Sequence, residues 1–110
     1  MLNKIDSKAI VDKKAEIDTN VSIGPYAVIG PAVKLGSGCV IDAFAQVIGN
    51  TTVGKNCHIF SHAVLGNVPQ DLKYKGDKSF LIIGNNNTIR EFVTMNVGTE
   101  QDSKTVVGDN

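Results

Sequence analysis

From Ile5 onward, every sixth residue is aliphatic for eleven steps: Ile5, Val11, Ile17, Ile23, Ile29, Leu35, Ile41, Val47, Val53, Ile59 and Leu65. An α-helix buries a residue about every 3.6 positions and an amphipathic strand every second one, so neither produces this beat. The residue after each aliphatic is Gly or Asp in nine of the eleven cases. Both types tolerate turn geometry, so each is expected to turn a corner. Four places after each aliphatic stands a small or β-branched residue, from Ala9 to Ala63, until Pro69 ends the series. A six-residue period of this kind is the mark of a β-helix. Each hexapeptide supplies one short strand and one corner, and three make a triangular coil. Coils stack about 4.8 Å apart and fill a narrow prism with side chains. The spacing predicts three internal ladders: Ile5, Ile23, Ile41 and Ile59; Val11, Ile29, Val47 and Leu65; Ile17, Leu35 and Val53.

The departures from the pattern are informative. Ile48 and Phe60 stand where a turn residue belongs, so their corners are looser or their side chains cover a neighbouring surface. Pro25 and Pro31 fall two places after an aliphatic, at a corner, where a fixed φ and a missing N–H do least harm. Cys39 and Cys57 are expected to stack in adjacent coils, both facing inward. Parallel in-register side chains stay near the rung spacing, whereas a disulfide wants Cβ atoms about 3.5–4.5 Å apart. They are read as two buried free thiols.

The beat stops after Leu65 and returns at Ile83, eighteen residues on, with Asp71 and Asp77 where aliphatics belong. This reads as one full coil in which polar residues replace core positions. It predicts a polar loop at about 66–82, and a second irregular stretch at about 98–106. The chain of 110 residues is expected to be a single β-helical domain, interrupted mid-repeat at its end. A loop leaving a rigid prism is a common seat of function. Gln70, Asp71, Lys73 and Tyr74 together offer an amide, a carboxylate, an ammonium and an aromatic face, a set suited to sugar hydroxyls or a phosphate. Read from composition alone, the same segment is an ordinary solvated loop.

Charge excludes some functions. Lys plus Arg and Asp plus Glu number eleven each, so no net field draws nucleic acid or a membrane surface. No apolar run reaches the ~18 residues of a membrane span. The N-terminus mixes charge into every few residues and does not read as a signal peptide. With two cysteines, the chain suits a reducing cytoplasm. The two histidines, His58 and His62, lie outside the inward columns and read as surface or interface residues. Their spacing of four would suit a metal on a helix, but this region is not helical.

The segments N-V-P-Q-D-L-K-Y-K-G (67–76) and I-G-N-N-N-T-I-R-E-F-V-T-M-N-V-G-T (83–99), following the hexapeptide run, resemble the UDP-N-acetylglucosamine O-acyltransferases, which begin lipid A biosynthesis. The resemblance runs along the whole chain. It implies an all-β, left-handed parallel β-helix with three hexapeptides per coil, assembled as a cytoplasmic homotrimer with active sites in clefts between subunits. The reaction would move a 3-hydroxyacyl chain from acyl carrier protein to the 3-hydroxyl of UDP-N-acetylglucosamine, with no cofactor. It implies that Gln70, Asp71 and Lys73 contact the nucleotide sugar, and that Asn96 is a further polar contact. Val97 stands where many members carry Arg, so no charged contact is expected there. In this family a histidine is the general base and a backbone N–H stabilises the oxyanion. That histidine is expected beyond Asn110, as is the family's helical C-terminal region, and neither His58 nor His62 corresponds to it. The 110 residues alone are therefore expected to have no acyl-transfer activity. Zinc held by three histidines, as in some hexapeptide carbonic anhydrases, has only two to draw on. Other readings are a non-catalytic trimerising or interaction module, an inactive gene fragment, and a hexapeptide acyltransferase with another acceptor.

Overall fold

The hexapeptide beat is realised as two-residue strands separated by tight corners. The computed structural model describes residues 3–67, 79–98 and 104–110. Among the described residues fifteen strands run from β1 (Lys4–Ile5), β2 (Ile10–Val11) and β3 (Glu16–Ile17) through β4 (Ser22–Ile23), β5 (Val28–Ile29), β6 (Lys34–Leu35), β7 (Val40–Ile41) and β8 (Gln46–Val47). They continue with β9 (Thr51–Val53), β10 (His58–Ile59), β11 (Val64–Asn67), β12 (Phe80–Ile83), β13 (Thr88–Ile89), β14 (Thr94–Asn96) and β15 (Lys104–Val107). Every third strand joins the same parallel sheet. The first sheet is β1-β4-β7-β10-β13, the second β2-β5-β8-β11-β14 and the third β3-β6-β9-β12-β15. This is a left-handed parallel β-helix with three strands per coil, as expected.

The ladders pair as the period requires: Ile5 with Ile23 and Ile41, Val11 with Ile29 and Val47, Ile17 with Leu35 and Val53. The aliphatics of the inner coils, from Ile23 to Leu65, are at most 3% exposed. The small residues between them, Val21, Ala27, Val33, Cys39, Ala45, Thr51, Cys57 and Ala63, are at most 1% exposed. Short side chains are required there because three ladders converge on a narrow prism. Cys39 and Cys57 are buried free thiols on that inward column. Each thiol donates to the carbonyl of a glycine, Cys39 Sγ to Gly54 at 3.0 Å and Cys57 Sγ to Gly84 at 3.1 Å. Asn87 continues the column and donates through Nδ2 to Gly108 O at 2.7 Å.

The corners differ from expectation. The left-handed residue falls three places after the ladder aliphatic. Between the third and first sheets it is Asn20, Gly38, Asn56 and Asn86; between the first and second it is Tyr26, Phe44, His62 and Phe92. The Gly or Asp at the next position has another task. Asp6 and Asp12 each accept, through Oδ1, the N–H two residues on, at 2.9 Å. Gly36 allows close stacking instead, since a Cβ there would lie 2.7 Å from the Gly54 carbonyl carbon. Pro25 and Pro31 do sit in turns. Phe60 covers a neighbour: its ring stacks on His58 at 4.0 Å, and the Arg90 guanidinium lies 4.1 Å from its centroid.

The interruption also reads differently in three dimensions. Ile83 does not stack on Leu65. It pairs with Val53, thirty positions back, where earlier rungs are eighteen apart. Leu65 pairs with Met95 and Ile59 with Ile89 at the same enlarged spacing. Twelve residues have therefore been inserted into one coil, and no coil has had its core replaced. The inserted length is itself two hexapeptides, which kept the beat in phase along the sequence. Ile83 pairs next with Val107, a spacing of twenty-four, so a second insertion of six follows β14. Within the stretch 98–106, residues 104–106 belong to β15, in register with β12.

Candidate functional site

Both ends of the 68–78 segment arrive at one edge of the prism, where the chain passes from the second sheet to the third. In the lower coils this edge is regular. In the coil beneath the segment it is rebuilt. Gly49 takes φ +66°, and β9 begins early, at Thr51. The Thr51 hydroxyl is buried and donates to Ile48 O at 2.6 Å. The outgoing chain crosses at Gly66, φ +87°, where any Cβ would strike Ile48 O and Thr51 Oγ1. Only glycine suits both this left-handed backbone and this approach.

The returning chain is fastened to the same corner. Asn50 Nδ2 donates to Ser79 O at 3.1 Å, and Asn50 O accepts from Leu81 N at 3.0 Å. Ser79 is 1% exposed, and its hydroxyl has no hydrogen-bond partner. The coil above completes the arrangement. Asn67 pairs with Asn96 across a bulge at Gly66. Val97 N donates to Asn67 O at 3.2 Å and Gly98 N to Phe80 O at 3.3 Å. Val97 is buried over Gly49, where it serves packing.

Of the sequence-based candidates, Gln70, Asp71 and Lys73 lie outside the described residues. Asn96 is half-buried beside Asn67, the last described residue before 68–78. The sequence reading missed Asn50, Thr51 and Ser79. The signal for the first two was present in Ile48-Gly49, where an aliphatic replaces a turn residue and the glycine comes one place late. The groove below the corner is lined by Lys14, Lys34, Asn50, Thr52 and Phe80. Lys34 there is 3.7 Å from Glu16.

The histidines are elsewhere. His58 lies on the first sheet, with Nε2 3.0 Å from Asp42 Oδ1. His62 lies on the edge between the first and second sheets, stacked between Phe44 at 5.3 Å and Phe92 at 5.4 Å. Neither belongs to the rebuilt corner. Among the described residues no three His, Cys, Asp or Glu side chains form a metal-holding group. No helix among them is long and apolar enough to cross a membrane.

Comparisons with known proteins agree with this fold. Residues 32–67 match the family described as bacterial transferase hexapeptide, six repeats. The acyl-[acyl-carrier-protein]–UDP-N-acetylglucosamine O-acyltransferase of Thermodesulfovibrio yellowstonii is 47% identical over 109 residues, 98% of this chain and 42% of that protein. The protein of the same name from Nautilia profundicola is 63% identical over 60 residues, 54% of this chain and 23% of its own. The crystal structure of the Francisella novicida UDP-N-acetylglucosamine acyltransferase superposes with a TM-score of 0.91 at 40% identity, covering 96% of this chain and 39% of that one. The chain thus spans well under half the length of these relatives.

Proposed function

We propose, for a chain that belongs over the stretch it spans to the UDP-N-acetylglucosamine O-acyltransferases, that it builds the nucleotide-sugar part of the active site. The observation that carries this reading is the convergence of both segment stems and Asn96 on one rebuilt corner. Gln70, Asp71 and Lys73 belong to the stretch whose flanking residues meet at that corner, and they bind the nucleotide sugar together with Asn96. Lys73 supplies positive charge to a diphosphate, while the amide of Gln70 and the carboxylate of Asp71 take sugar hydroxyls.

The whole protein transfers a 3-hydroxyacyl group from acyl carrier protein to the 3-hydroxyl of UDP-N-acetylglucosamine. It works in the cytoplasm, as a homotrimer whose clefts contain the sites. The 110 residues by themselves bind the sugar nucleotide without transferring an acyl group. Supporting this, both histidines lie away from the corner and are engaged with Asp42 and with aromatic rings. A general base must reach the hydroxyl proton directly or through one water.

The test is Asp71→Ala in the full-length gene product. Loss of a charge-assisted hydrogen bond is worth about 1.5–3 kcal/mol, so affinity for UDP-N-acetylglucosamine should fall at least tenfold. Unchanged affinity would return the segment to the status of a solvated loop.

A further inference from the structure

We propose that Asn50 is a positioning residue for nucleotide-sugar binding, fixing where the 68–78 segment re-enters the prism; this rests on the reading above. The edge between the second and third sheets offers an internal comparison. Three places after each ladder aliphatic stand Lys14, Ala32 and then Asn50. Only in the coil directly beneath the insertion does an amide occupy this place. Its side chain holds Ser79 O and its backbone holds Leu81 N, so the returning chain is gripped on both sides of Phe80. The grip buries the Ser79 hydroxyl without a partner, an unfavourable arrangement. A chain free to settle elsewhere would leave that hydroxyl in water. The outgoing stem rests on the same four residues, Ile48–Thr51, through Gly66. Gly98 N also bonds to Phe80 O, so a shift of Phe80 would carry to the strand end that bears Asn96. Asn50 therefore couples the segment to Asn96 without touching the ligand.

The experiment compares UDP-N-acetylglucosamine binding by calorimetry for the full-length protein, Asn50→Asp and Asn50→Gln, with melting temperature and amide exchange at Leu81. Asn50→Asp keeps the shape and removes the donor. It should weaken binding at least about fivefold, as expected for one lost hydrogen bond. Leu81 exchange should speed up with little change in melting temperature. Asn50→Gln keeps an amide donor and should bind within about twofold of the parent. Equal binding by the parent and Asn50→Asp overturns the proposal. So does equal weakening by both variants, since the donor would then not matter. If Asn50→Asp fails to fold, near-parental binding by Asn50→Gln with protected Leu81 supports the proposal, and weakened binding overturns it. No binding by the parent removes the nucleotide-sugar reading itself, and this proposal with it.

Discussion

At the scale of single residues, the interior is decided by what a small inward side chain does with its polar atom. Cys39 and Cys57 donate to carbonyls of neighbouring corners, and Asn87 does the same one coil further on. Burial pushes the Cys39 thiol from 9.0 up to about 11. Its folded pKa is raised, so its contribution to stability is complete below pH 9 and is lost as pH rises toward 11. By linkage the loss approaches roughly 2–3 kcal/mol. Urea unfolding at pH 8 and pH 11 should therefore show the parent losing more stability than Cys39→Ala; equal losses would mean the thiol is not perturbed. Ser79 is the opposite case, a buried hydroxyl without a partner. Ser79→Ala removes that cost and should leave stability unchanged or raise it by up to about 1 kcal/mol, with nucleotide-sugar affinity unchanged. A loss of affinity would instead make the hydroxyl a ligand contact. The inward cysteines were legible from their eighteen-residue spacing. Ser79 was not, because the chain register at its position depends on the insertion before it.

At the scale of elements, the two regular edges meet one backbone demand in two ways. From Asn20 onward, both place a left-handed residue at each turn among the described residues. One edge supplies Asn20, Gly38, Asn56 and Asn86, which bear positive φ cheaply. The other supplies Tyr26, Phe44, His62 and Phe92, which do not. Their rings form a continuous stack, with centroids 5.4, 5.3 and 5.4 Å apart, and Lys8 Nζ lies 5.9 Å from the Tyr26 ring. Each stacked pair contributes about 0.5–1.5 kcal/mol, so the three pairs offset part of a backbone strain of about 1–2 kcal/mol per residue. Phe44→Ala loses two stacks and keeps the strain, so it should destabilise by about 1–3 kcal/mol. Phe44→Asn relaxes the strain and should lose less. If urea unfolding finds Phe44→Asn more stable than the parent, the stack adds nothing net. Both columns were present in the sequence, three places after each aliphatic. The Gly and Asp residues one place after the aliphatic drew attention instead, although most of them act by hydrogen bonding or close approach and not by left-handed φ.

At the scale of the whole molecule, the sequence specified the prism and concealed one register. Three ladders over the first coils followed from the period alone, because only inward positions must be aliphatic and the corners recur with them. The period could not reveal that Ile83 stacks on Val53, since an insertion of twelve residues leaves a six-residue beat unbroken. Nor could it show that Ile48-Gly49-Asn50-Thr51 serves as the seat of both stems, a matter of contacts between residues about thirty positions apart. The segment Q-D-L-K suggested a site through resemblance alone, and it lies outside the described residues; the register shows where its flanking residues Asn67 and Ser79 meet the prism. The central claim is that UDP-N-acetylglucosamine binds at the edge between the second and third sheets. The measurement that tests it most directly is a titration of the isotope-labelled protein with UDP-N-acetylglucosamine, followed by backbone amide shifts. The account predicts saturable shifts at Asn67, Leu81, Asn96 and Gly98, with Asn20, Asn56 and Asn86 on the opposite edge unmoved. Shifts confined to that opposite edge, or none at millimolar ligand, would contradict it.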